Sequence, residues 1–415
     1  MKGRIFYNKY LIMVLAFFSH AIINIGGEVS PSFLFMSATI PFWFRLVPFK
    51  DKNVATVTKL FAILLLLQII WIPFAKTEFI LQLKAVLITV SGLIYFWYYY
   101  VVYLHNKNVV KWALIASFAA SFVFDNVLAE VAGGEYGLWK FEIYPRITAV
   151  VVMIYIWFID NPKVFRRAPI LLILVSLLGF ATGCRSNALY HFIPGVISFF
   201  IYRYNKGLNL KRIKVLLLRG CLFLYLMYAA IYVPNVLNGN ITEGNSKQLL
   251  KSENPYNPIN LLMVGRADAI TPFVAFLDNP ITGWGWATPD PNYKYHWLNA
   301  KYQSTEMKDV SLLTNNAIPG HSIWGAFSCG YGIVAFLVFL ILVKYVTTKV
   351  FRSLVYKDKY LMYRLYVYTI FMWTILFAPP GFFKTLPASI ALLLIFADTA
   401  KDEINTKKVV VQKNI

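Results

Sequence analysis

Apolar runs near the ~20 residues that cross a hydrocarbon core recur along this chain about every 30 residues. In lipid such a run can satisfy its backbone only as a helix, so this one feature removes most architectures from consideration. Spans are read near residues 10–25, 32–48, 57–74, 78–103, 109–132, 147–160, 168–183, 186–202, 215–236, 321–346, 360–378 and 381–398. The chain is 59% hydrophobic and only 14% charged, where a soluble domain is roughly a quarter charged. The expected fold is all-α: a polytopic membrane protein with about 12 transmembrane helices, forming a single integral membrane domain over residues 1–415. MKGRIFYNKY and the apolar residues after it read as a first span, with no small-x-small cleavage site of a signal peptide.

Charge sets the expected orientation. With a cytoplasmic N-terminus, the inside segments collect 28 basic and 6 acidic residues, against 12 basic and 13 acidic elsewhere. Lysine and arginine in short loops are retained on the cytoplasmic side, so both termini are expected there. The net charge of +21 is thereby placed beside anionic headgroups. No basic patch stands apart as a nucleic-acid footprint would, so no nucleic-acid partner is expected.

The connections are short except for residues 237–319, a large extracytoplasmic loop between spans 9 and 10. Its opening stretch is polar and reads as irregular. Further on, Arg266, Ile270, Phe273 and Leu277 recur at helical spacing, which predicts a helix starting at Arg266 and broken by Pro280 and Gly283. From spacing alone, an interfacial helix whose arginine snorkels to headgroups accounts for the stripe. The loop ends at Pro319 and Gly320, and His321 opens the tenth span. By position His321 caps the helix or faces headgroups. The positive helix end also favours a neutral ring, which can take up a proton.

Arg185 lies in the tight turn ATGCRSNALY between spans 7 and 8, on the same outer face. An arginine near a bilayer costs a few kcal/mol unless paired, which makes it a functional candidate. Two arginine forks suit the oxygens of a diphosphate, and a histidine beside them suits transfer from a diphosphate-activated donor. Asp125 and Glu130 end the fifth span and are expected to pair, with Lys84 as partner. The aromatic run IYFWYYYVVY reads as interfacial belt. Trp284, Trp286, Tyr293, Tyr295 and Trp297 either stack on sugar rings or anchor the loop to the membrane surface. The three cysteines form no CxxC pair, and the five histidines are scattered without metal-ligand spacing.

In order, the chain shows Thr182-Gly183-Cys184-Arg185-Ser186, then a large outer loop with an arginine, then Asp278-Asn279-Pro280-Ile281-Thr282-Gly283-Trp284-Gly285. His321-Ser322 follows, before a span containing Gly330-Tyr331-Gly332. This order resembles the bacterial O-antigen polymerase and O-antigen ligase superfamily of membrane polysaccharide polymerases. The likeness covers about residues 170–345; the first 160 residues resemble the family only in hydropathy. Two positions depart from it: Ser322 where the family often has Asn, and Cys184 where it often has a small residue or serine.

The resemblance implies a GT-C-like membrane glycosyltransferase in the bacterial inner membrane. It would polymerise lipid-linked repeat units of O-antigen, capsule or exopolysaccharide by inverting transfer from a polyprenyl-diphosphate donor. Arg185 and Arg266 would hold the diphosphate, and His321 would deprotonate or orient the acceptor hydroxyl. Ser186, Gly283, Gly285, Ser322 and Lys384 are candidates for lining the substrate site. No cofactor and no metal is implied. The implied partners are the polyprenyl-diphosphate-linked glycan donor and acceptor, the bilayer, a chain-length regulator and a flippase. The alternatives are a ligase that moves the same glycan onto lipid A core and a polytopic transporter or flippase. A transporter of the major-facilitator kind would carry its long connection inside, between two six-span halves.

Overall fold

The computed structural model describes residues 4–24, 28–75, 77–124, 138–139, 143–182, 184–203, 215, 218–220, 222, 225–240, 249–303, 316–320, 322–378 and 386–413. Of these, the side chains of Arg4, Asn24, Glu28, Arg185, Pro258, Leu261, Leu262 and residues 401–413 lie outside the description. Regular structure is helical apart from one antiparallel pair of two-residue strands, β1 (Ile23–Asn24) and β2 (Glu28–Val29).

The helices are α1 (Lys9–Phe18), α2 (Pro31–Ala38), α3 (Ile40–Trp43), α4 (Lys52–Trp71), α5 (Phe79–His105), α6 (Val109–Phe124), α7 (Tyr144–Trp157), α8 (Pro162–Ala181) and α9 (Arg185–Arg203). They continue with α10 (Leu218–Leu237), α11 (Pro258–Asp278), α12 (Lys294–Tyr302), α13 (Ile323–Ser353), α14 (Leu361–Phe377) and α15 (Leu386–Lys413). Among the described residues, five helices are long and apolar enough to cross a membrane by length and composition: Lys52–Phe74, Phe79–His105, Pro162–Ala181, Leu218–Leu237 and Ile323–Ser353. Rows of exposed leucines and isoleucines on them, such as Leu66, Ile69 and Ile70 on α4 or Leu174, Leu177 and Leu178 on α8, give the bundle a lipid-compatible surface.

The first two expected spans are not continuous helices. α1 stops after 10 residues, about half the rise needed for a crossing, where Ser19 and His20 lead into the strand pair. The second breaks at Thr39, before Pro41, into α2, α3 and a 3-10 turn at Phe44–Leu46. A proline removes a ladder hydrogen bond and clashes with the preceding turn, so the break falls where the sequence requires it.

The aromatic run of α5 is core, not belt. Tyr95, Phe96, Tyr98, Tyr99, Tyr100 and Tyr103 are all buried, because α2, α4 and α15 pack around this helix. Buried hydroxyls need partners, and these find them. Tyr98 donates to the Phe6 carbonyl (3.1 Å), Tyr100 to Asp51 Oδ1 (2.9 Å), and Tyr95 pairs with Ser30 Oγ (2.9 Å). An aromatic cluster of this kind looks the same in sequence whether lipid headgroups or protein surround it.

At the basic end of the bundle, Arg364 of α14 is fully buried. Its two terminal nitrogens clamp the Asp358 carboxylate at 3.1 and 2.8 Å. They also reach the carbonyls of Phe396 (3.1 Å) and Ser353 (3.2 Å), joining α13, α14 and α15. Asp125 and Glu130 lie outside the described residues, so their expected pairing does too.

Candidate functional site

α8 and α9 form a helical hairpin. Its turn is closed by the Cys184 amide on the Gly179 carbonyl (2.8 Å), and the Ala188 amide on the Cys184 carbonyl (2.8 Å) starts α9. Arg185 is the first residue of α9; its side chain lies outside the description. Ser186 follows, and its Oγ accepts a hydrogen bond from Arg266 Nη2 at 3.2 Å. The Arg-Ser turn and the arginine of the large loop, 80 residues apart in sequence, therefore meet.

Arg266 does not begin its helix, as the apolar stripe suggested. α11 starts at Pro258, capped by Asn257 Oδ1 on the Ile259 amide (2.9 Å), and Arg266 sits at an interior break with φ −144° and ψ 34°. Gly265, directly before it, makes such a break cheap. The expected face is also wrong: Leu277 is 62% exposed, while Ala267, Ala269, Thr271, Ala275 and Phe276 are buried. Small residues let α11 pack closely on α13, so it is a docked helix rather than a surface one. The guanidinium lies 5.3 Å from the Trp373 ring and 5.5 Å from that of Phe377. Burial pushes its pKa below the ordinary arginine value and the charge of Asp268 opposes the shift. Among the described residues, Ser186 is its only hydrogen-bond partner.

The aspartate-to-glycine stretch after α11 docks backbone to backbone on α13. α13 breaks at Gly332 (φ 72°, ψ −167°), and carbonyls near the break accept from the loop. Trp284 N donates to Cys329 O (2.7 Å), Gly285 N to Gly330 O (3.0 Å), and in return Ile333 N donates to Pro280 O (2.8 Å). A Cβ on Gly283, whose φ is +68°, would stand 2.6 Å from Cys329 O. Gly283 is thus needed for close approach of the loop to α13. Asp278 is held by Lys294 Nζ and Tyr295 OH, each at 2.6 Å, and these bonds hold its carboxyl below the usual range. Trp284 donates to the Ala275 carbonyl (2.7 Å) and packs edge-on against Tyr295, whose own ring is fully buried and so is not presented to a sugar.

His321 and Lys384 lie outside the described residues. Ser322, expected to line the site, is buried, and its Oγ donates to the Ala269 carbonyl (3.2 Å). Gly320, on the other side of His321, approaches Pro272. Both flanks of His321 are thus seated on α11 within two turns of Arg266. α13 itself begins at Ile323 with Ser322 as N-cap, so His321 precedes the helix rather than opening it. Phe377, beside Arg266, ends α14 just before the segment that carries Lys384.

A cavity of about 690 Å³ opens beside α11, walled by Asp268 and Pro272, by Gly285, Trp286 and Thr288, by His296, Asn299 and Gln303 of α12, and by Gly320 and Gly330. Of the four described candidate lining residues, Ser186, Gly283, Gly285 and Ser322, Gly285 is the one placed there. The polar residues of α12 were not singled out from sequence. The usable signal was Asp290-Pro291, an N-cap followed by proline at the first helical position, with His296 in the first turn of the helix beyond.

Cys184 and Cys329 are both buried. Among the described residues no group of three His, Cys, Asp or Glu side chains is placed to hold a metal ion. No protein-family model matches the chain, and no curated protein sequence matches it.

Proposed function

We propose that this protein is a membrane glycosyltransferase that polymerises lipid-linked oligosaccharide units, using a polyprenyl-diphosphate-linked glycan as donor on the outer face of a bacterial inner membrane. The observation that carries this reading is the Arg266–Ser186 hydrogen bond. It brings a loop arginine with unused N–H donors to the turn where Arg185 begins α9. Two arginines carried by one turn and the helix docked on it suit a diphosphate, because each planar fork can bind two oxygens. The charge that develops on the lipid diphosphate as it leaves would be met by these donors, where water is partly excluded and electrostatic stabilisation is strong. His321, whose flanks lie on α11, acts at the acceptor hydroxyl, and Lys384 is an auxiliary phosphate contact.

Deleting the gene in its native host tests the proposal. The surface glycan should lose its high-mass ladder while single lipid-diphosphate-linked units accumulate. Wild type should restore the ladder, and Arg185→Ala or Arg266→Ala should not. An unchanged ladder in the deletion strain would contradict the reading.

A further inference from the structure

We propose that the cavity beside α11 receives the acceptor sugar and that His296, held by Asp290, takes the proton from the attacking hydroxyl; this rests on the glycosyl-transfer reading above. The Asp290 side chain has no solvent exposure. Its carboxylate accepts from Tyr295 N (3.1 Å), His296 N (2.7 Å) and His296 Nδ1 (2.7 Å). A carboxylate can only accept, so Nδ1 carries a proton, and the neutral tautomer this bond selects has its lone pair on Nε2. The ring is 13% exposed and forms part of the cavity wall, and Nε2 makes no hydrogen bond among the described residues. A base oriented by a buried third group is the arrangement that proton abstraction needs.

The remaining wall suits a saccharide. Asn299 and Gln303 offer donors and acceptors side by side, Thr288 adds a hydroxyl, and Trp286 an apolar face. Gln303 Nε2 is held by Asp268 Oδ1 at 2.8 Å, which fixes the amide's orientation. The volume falls within the roughly 300–1,000 Å³ of small-molecule sites. Asp268 lies in the cavity wall and its charge acts on Arg266, so the cavity adjoins the arginine that would hold the donor. Ala287, Asn292 and Tyr293 all have φ between 52° and 54°. Left-handed backbone outside glycine is costly and clusters at functional sites. Here it turns the chain so that Asp290 folds over the first turn of α12.

In the step, a lone pair of the hydroxyl oxygen forms the bond to the anomeric carbon. The bond from that carbon to the diphosphate oxygen breaks, and its electron pair leaves on the lipid diphosphate held by the arginines. The hydroxyl proton passes to His296 Nε2 and from there to water. His321 then orients the acceptor rather than deprotonating it.

The competing account is that Asp290 only caps α12 and His296 is incidental. Purified full-length protein in nanodiscs, given the lipid-linked oligosaccharide extracted from deletion cells, separates the two. If wild type forms no linkage, the glycosyl-transfer reading falls and this assignment with it. If wild type is active, His296→Gln should lower kcat at least about 100-fold, with KM within about threefold and an unchanged melting temperature. Asp290→Asn keeps an oxygen for the backbone amides and should give a smaller kcat loss. His296→Gln with kcat within about threefold of wild type would overturn the proposal, as would a rise in KM alone. Should His296→Gln fail to fold, Asp290→Asn at wild-type rate would overturn it equally.

Discussion

Arg266 brings five N–H donors to a half-buried position, and the described protein occupies one of them. Trp373 and Phe377 hold its plane by cation–π contact while leaving the other donors available. Arg266→Ala should therefore remove about 2–4 kcal/mol of leaving-group stabilisation, a rate loss of roughly 30- to 1,000-fold, with membrane levels unchanged on immunoblots. Arg266→Lys should rescue poorly, since an ammonium lacks the fork. Near-normal chain synthesis by Arg266→Ala would reduce the residue to a staple between α9, α11 and α14. This arginine was legible in the sequence because it stands alone in an apolar helix. Asp290 and His296 were not, because their meeting depends on two consecutive left-handed residues, Asn292 and Tyr293, that no spacing rule anticipates.

At the scale of elements, the break in α13 is the feature that seats the large loop on the bundle. Gly332 has φ +72°, and a Cβ there would run into the Ile281 carbonyl. Gly330 has room: a Cβ would come no closer than 3.7 Å to Gly285. Gly332→Ala should lower the melting temperature and release the loop to proteolysis, through strain of about 1–3 kcal/mol plus the overlap. Gly330→Ala should leave the melting temperature nearly unchanged, and equal effects would contradict the docking geometry. The basic end offers a control away from the site. Asp358→Asn leaves buried Arg364 without its countercharge and should cost about 3–5 kcal/mol of stability, whereas it should not change KM for substrate. Positions of α4, α5, α7, α8, α9, α13 and α14 were legible to within several residues, since lipid-length apolar runs admit little else, whereas α12 and the first eight residues of α11 were not. The neighbours of each helix were not legible, which is why the aromatic run of α5 read as belt and α11 as a surface helix. Packing partners of an apolar face are set by tertiary fit, and the face itself carries no sign of them.

For the whole molecule, the distribution of lysine and arginine makes a sharp claim about sidedness. Cysteine labelling from outside intact cells should reach residues 240–315 and spare 204–214 and 347–359. Protection of the 240–315 segment would put the arginines on the wrong face for a flipped lipid-linked donor. The central claim is a reaction with fixed stoichiometry: each new glycosidic bond releases one polyprenyl diphosphate. The most direct measurement reconstitutes the purified chain in proteoliposomes with lipid-linked oligosaccharide in excess EDTA, and counts both products. The account predicts a ladder of longer lipid-linked glycans with one polyprenyl diphosphate released per linkage, undiminished by the chelator. Ladder formation without polyprenyl diphosphate release, or activity that vanishes in EDTA and returns with a divalent cation, would contradict it.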